Sequence, residues 1–168
     1  MLLWRKPETA AVRVLLVTVI ILCCVTVVLL QGAWIEVNGC EIDVWRFIQN
    51  PDDMLATAGV LQQQPGWQSF IRTVCFLQIG CSGVFLFVIY ELCRRGNSTA
   101  IYGAVFAVML LAVLLWLYIF MHSPGETGVI KDVYFIHVRM NMRAWISLIT
   151  VCAADAVYSV MESEKNGE

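Results

Sequence analysis

Residues able to do chemistry are few in this chain and fall in three places. Asp155 stands in Ala153-Ala154-Asp155-Ala156, inside an otherwise apolar block. A carboxylate within lipid costs about 2.5–3.5 kcal/mol on insertion scales, so it turns to the protein interior and takes a partner. Arg94 and Arg95, at the end of another apolar block, are the cations placed to reach it. Such a pair can serve an ion or proton relay. The preferred reading is plainer: a structural pair, or an acid reaching the nearby interface.

Glu36, Glu41 and Asp43 form the second place. Folded about Asn38-Gly39, the favoured pair for a two-residue hairpin turn, they share one face. Like charges directly opposite destabilise a hairpin. Attraction of cations would give the cluster a purpose, a solvated face is the simpler account, and three carboxylates without a ligand loop make a weak calcium site. Cysteine is the third place. Cys40 is alone among its kind in the segments outside the apolar blocks that read as outer, which leaves an interchain disulfide or a free thiol open. Cys93, beside Arg94 and Arg95, is a palmitoylation candidate. Cys23, Cys24, Cys75, Cys81 and Cys152 lie within apolar blocks and read as packing residues.

Catalysis finds little footing. His122 and His137 both follow the third apolar block, so two axial haem ligands on facing spans are excluded. The chain holds no Cys-x-x-Cys, no His-Glu-x-x-His, no Gly-rich phosphate loop and no nucleophile elbow. The reading is a non-enzyme without cofactor or metal.

The elements that must position these residues are membrane spans. Hydrophobic residues make up 60% of the 168 and charged residues 14%, against nearer half and a quarter in soluble domains. The mean hydropathy is +0.74. The apolar excess is gathered into blocks at about 14–33, 68–92, 100–121 and 144–161, each able to cross a ~30 Å hydrocarbon core as a helix. The first block is too long for a usual signal peptide and reads as an uncleaved span. Trp34, Trp67 and Trp145 stand at block edges, at headgroup depth, and Trp116 lies inside a block and reads as packing. Gly103 with Ala107, and Ala100 with Ala104, give small-residue spacings for close helix approach, within one chain or between two. A net charge of −2 offers nothing to nucleic acid.

Lys and Arg flank both sides almost equally, and the basic head with Arg5, Lys6 and Arg13 decides the orientation. Both termini are then cytoplasmic, with outer loops at about 34–67 and 122–143. The sequon Asn97-Ser98-Thr99 falls on the cytoplasmic side, where it is unused.

Outward from the Asn38-Gly39 turn, Val37 pairs with Cys40, Ile35 with Ile42 and Ala33 with Val44, while Glu36 faces Glu41 and Trp34 faces Asp43. Apolar residues meet apolar residues, which a slipped register would not give. Asn50 can cap a helix with Pro51 in its first position, running to about Gln63. Val129 to Val138 is β-branched and aromatic, and reads as a strand. The fold class is an all-α membrane protein: an antiparallel four-helix bundle with a small extracellular β-hairpin or sheet on the first outer loop.

This layout resembles the claudin and peripheral myelin protein superfamily of tetraspan proteins. Arg94-Arg95-Gly96-Asn97 is similar to the short inner turn of the epithelial membrane proteins, and Gly32-Ala33-Trp34 echoes the family's Trp at the end of the first span. The pattern departs from claudins in having Cys40 where they carry two loop cysteines, and in ending Glu164-Lys165-Asn166-Gly167-Glu168 rather than in a scaffold-binding tail. The resemblance implies a plasma-membrane protein acting in cell contact or membrane organisation, with the bilayer and other membrane proteins as partners. It implies ion attraction for the charged residues of the first loop, including Glu36, Glu41 and Asp43, and acylation near Cys93. Two other roles fit the same layout: an auxiliary subunit of a channel, transporter or receptor, and a small ion pathway centred on Asp155.

Overall fold

The computed structural model describes residues 9–59, 65–122 and 138–166. Four helices dominate: α1 (Ala10–Gln31), α4 (Pro65–Arg95), α5 (Ala100–His122) and α6 (Met142–Asn166). All four are long and apolar enough to cross a membrane. Between α1 and α4 lie strands β1 (Ile35–Val37) and β2 (Cys40–Ile42) and the short helices α2 (Val44–Gln49) and α3 (Pro51–Thr57); β3 (Val138–Met140) precedes α6.

Local signals set the helix ends. The Thr9 hydroxyl accepts from the Val12 N–H and opens α1. Gly32, in extended conformation, closes it and donates its N–H to the Leu29 carbonyl. The first span therefore stops short of Ala33. The fourth runs further than the apolar block implies, because polar residues from Glu162 to Asn166 keep the helical path.

The long helices form a closed ring in which α1 packs on α4 and α6, and α5 packs on the same two. Neighbours run antiparallel. Phe70, early in α4, stacks on Tyr118, late in α5, and Tyr102, early in α5, meets Tyr158, late in α6. Thr26 and Thr150 join α1 to α6 across 3.1 Å. On α1 the inward face is Val12, Leu16, Val19, Cys23, Val27 and Leu30, while Val14, Val17, Ile21, Val25 and Val28 point outward and are also apolar. A helix apolar on both faces suits hydrocarbon outside as well as protein inside.

The small sheet sits at one end of the ring, hereafter the sheet end; the α4–α5 connection marks the turn end. Its strand order is β2-β1-β3, antiparallel throughout. Ile35 pairs with Ile42, Glu36 with Glu41 and Val37 with Cys40, as expected from the turn. Asn38 at φ 50° and Gly39 at φ 83° occupy the left-handed region that such a turn requires.

Beyond Ile42 the expected ladder is corrected. Asp43 accepts the Trp45 and Arg46 N–H groups at 2.9 and 3.1 Å and starts α2, so Val44 does not reach Ala33 and Trp34 does not face Asp43. Asn50 makes no side-chain cap, and α3 ends at Thr57 with Gly59 at φ 71° shortly after. The expected strand from Val129 lies outside the described residues except for Val138, which opens β3. That strand pairs with β1, so the sheet draws on both segments rather than on the first alone.

Candidate functional site

The sheet end gathers most of the chemistry-bearing residues. β1 is the central strand, and β3 lays Arg139 opposite Glu36. Arg139 Nη2 donates to Glu36 Oε1 at 2.8 Å, the carboxylate largely covered and the guanidinium 76% exposed. Asn141 Nδ2 donates to Glu41 Oε1 at 2.8 Å, and the Asn141 N–H donates to the Trp34 carbonyl, also at 2.8 Å. Each carboxylate of the opposed pair thus has its own donor, Arg139 within β3 and Asn141 directly after it. Asp43 is spent on capping α2. The three acids do not form an open anionic face; the like charges are tolerated because β3 and the residue after it bring a cation and an amide to them.

Asn38 Nδ2 donates to the Ala58 carbonyl at 2.8 Å and ties the turn to the end of α3. Cys40 is half-buried, its thiol 3.6 Å from the Thr57 carbonyl. A polar groove of about 410 Å³ runs between hairpin and short helices, with Cys40, Glu41, Arg46 and Asp53 on its walls.

Trp34 requires a correction. It is fully buried, so its side chain is not open to a partner and serves as the plug between sheet and ring. Its Nε1 has no partner among the described residues. Beneath it, Gln78 of α4 donates from Nε2 to the Leu30 and Gly32 carbonyls at 3.0 and 3.2 Å, satisfying two buried acceptors at the end of α1 and its cap. Gly32 leaves room for Arg143, whose Nη1 lies 2.8 Å from where a Cβ would stand.

The intramembrane pair takes a different form from the expected one. Arg95 pairs with Glu91 at 3.3 Å, and Arg94 Nη1 donates to the Tyr90 hydroxyl at 3.4 Å. Among the described residues no ion pair joins either arginine to Asp155, which is half-buried on α6. Each arginine is instead engaged by a partner one turn back on its own helix.

Cys93 is exposed at the turn end of α4, as acylation requires. Gly103 opens outward with nothing within 4 Å of a notional Cβ, and Ala107 is half-buried, whereas Ala104 lies in the core. Trp116 is half-exposed and stacks on Phe120, so it faces outward instead of packing between helices. Cys23, Cys75 and Cys81 are buried as packing residues, but Cys24 and Cys152 face outward.

Sequence reasoning missed two groups. Arg139 and Asn141 carried a usable signal, since Val138-Arg139-Met140 alternates apolar and polar like a strand end. The other is a clamp at the turn end. The Ser98 N–H donates to the Tyr158 hydroxyl at 3.0 Å, and the Tyr158 and Tyr102 hydroxyls donate to Glu162 at 3.1 and 2.8 Å. Lys165 Nζ donates to the Gly96 carbonyl at 2.8 Å. Tyr158 and Glu162 are neighbours one turn apart, but the other three contacts span 60 or more positions and no local pattern announces them.

Set against family models, curated proteins and solved structures, the chain matches none of them.

Proposed function

We propose that this chain is a claudin-like or myelin-protein-like tetraspan of the plasma membrane. Both termini lie in the cytoplasm, and the protein works in cell contact or membrane organisation through lateral assembly and its outer loops. The observation that carries this reading is the sheet. One end of an apolar four-helix ring bears a small β-platform built from both loops, fixed to the helices through Trp34 and Asn141. Among the described residues the opposite end carries the α4–α5 turn, the start of α1 and the end of α6, and no sheet. That asymmetry supports presentation of one face to a neighbour, with the helices supplying position.

The test mixes cells that express a tagged chain with cells that do not. Enrichment at contacts between two expressing cells is the expected outcome, lost when the platform is broken by Trp34→Ala. Even distribution over the whole surface, with or without the substitution, removes the contact role. Labelling Asp53→Cys and Asn97→Cys variants with an impermeant reagent tests the orientation: reaction at the first and none at the second is expected.

A second reading, an auxiliary subunit of a channel, transporter or receptor, is favoured by one observation. Gly103 opens on the outward face of α5 beside exposed Tyr102 and Phe106, a flat place for a partner helix. Purification in mild detergent separates the two: a fixed stoichiometric partner supports the subunit, and self-assembly supports the first reading.

A further inference from the structure

Near the sheet end α4 outruns α1, and α2 and α3 lean against its extra turns. Phe47, Ile48 and Pro51 face Cys75, Phe76 and Ile79 across an apolar cleft of about 170 Å³, with Arg72 also on its wall. An enclosed apolar cavity of about 150 Å³ stays dry and takes up a small hydrocarbon; this cleft has a similar volume and an apolar lining but is open on one side. Phe76 and Ile48 are exposed, so the cleft opens sideways rather than into the ring.

Depth fixes what lies beside it. A hydrocarbon core takes ~20 helical residues, and that count from Leu92, next to Arg94 and Arg95, returns to Arg72. The same count from Arg143 of α6 reaches Ser163, next to Lys165. By that count Arg72 and Arg143 fall at one level, that of the headgroups if the four helices are embedded, with Phe76 and Ile79 just below it. Arg72 offers a fork of N–H donors suited to phosphate. The hydrogen bond described for it goes to Asp52 at 3.5 Å, in a pair 48% and 89% exposed, which binds weakly and yields to a competing anion.

We propose that this cleft holds one phospholipid, its phosphate on Arg72 and the upper part of one acyl chain between α2 and α4. The inference rests on the embedding of the four helices and not on the cell-contact role.

The full chain is reconstituted in phosphatidylcholine vesicles containing a trace of the same lipid with a photoreactive diazirine high on one acyl chain. Cross-linked peptides are then mapped. Labelling concentrated on residues 47–51 and 75–79 is expected. Arg72→Ala lowers it roughly tenfold, the loss of one charge-assisted contact. Ile79→Trp fills the cleft and lowers it with Arg72 intact, Asp52→Asn raises it, and Arg143→Ala leaves it unchanged. Labelling spread evenly over all outward faces, or indifferent to both Arg72→Ala and Ile79→Trp, overturns the lipid site. A chain that stays in water without detergent overturns the embedding instead, so the two failures are told apart.

Discussion

At the sheet end Arg139 reaches Glu36 across 2.8 Å with its guanidinium in the open, while at the turn end the Ser98 N–H reaches Tyr158 across 3.0 Å in full burial. Both contacts tie together segments far apart in sequence. The first joins formal charges where water and salt screen them; the second joins a buried backbone donor to a hydroxyl that in turn donates to Glu162, and the hydroxyl is the acceptor the Ser98 N–H has there. The sheet end is thus held by Trp34 and backbone pairing, with its ion pair tuning register. The turn end is held by the polar contact itself. An exposed ion pair selects an arrangement, whereas a buried hydrogen bond enforces one.

Substitutions can break that comparison. The largest effect is expected from Trp34→Ala, which empties the plug between sheet and ring and costs about 3–5 kcal/mol. Thermal unfolding in detergent reads it, and a loss below that of Tyr158→Phe would show that the sheet is not seated on the ring. Trp34→Phe, by contrast, sacrifices volume but no hydrogen bond and should keep most of the stability. Tyr158→Phe strands the Ser98 N–H in a buried site, removes the hydroxyl's bond to Glu162, and costs about 1–3 kcal/mol, with far less dependence on salt than an exposed ion pair shows. Asp43→Ala removes two donors' acceptor at the start of α2 and costs about 1 kcal/mol. Limited proteolysis between residues 44 and 57 should detect it before global unfolding does. The smallest effect belongs to Arg139→Ala, about 0.2–1 kcal/mol at low salt and vanishing as ionic strength rises. A salt-insensitive loss there would erase the distinction between the two ends.

How much of this was legible in the sequence follows from the range of each interaction. The spans were legible because lipid demands long uncharged blocks, and the hairpin because Asn38-Gly39 and the alternation around it are local. Val44-Trp45-Arg46-Phe47 has the β-branched and aromatic look of a strand, and Asp43 as a capping residue outweighs that propensity. Gly59, a ready helix terminator, was the overlooked sign that α3 would stop early. The outward direction of Trp116 had no local sign at all, since α5 is apolar all round and has no face to read. The Glu36–Arg139 contact spans 103 positions, and only the closed ring brings those segments together. Of the candidate site, the acids and Cys40 were legible as a neighbourhood. Their partners were not.

Gly32, Ala33 and Trp34 are the whole connection between α1 and β1, and all three are buried. Such a joint has no slack. A load applied to the hairpin is delivered along α1 as along a strut, and a piston movement of that helix arrives at the hairpin undamped.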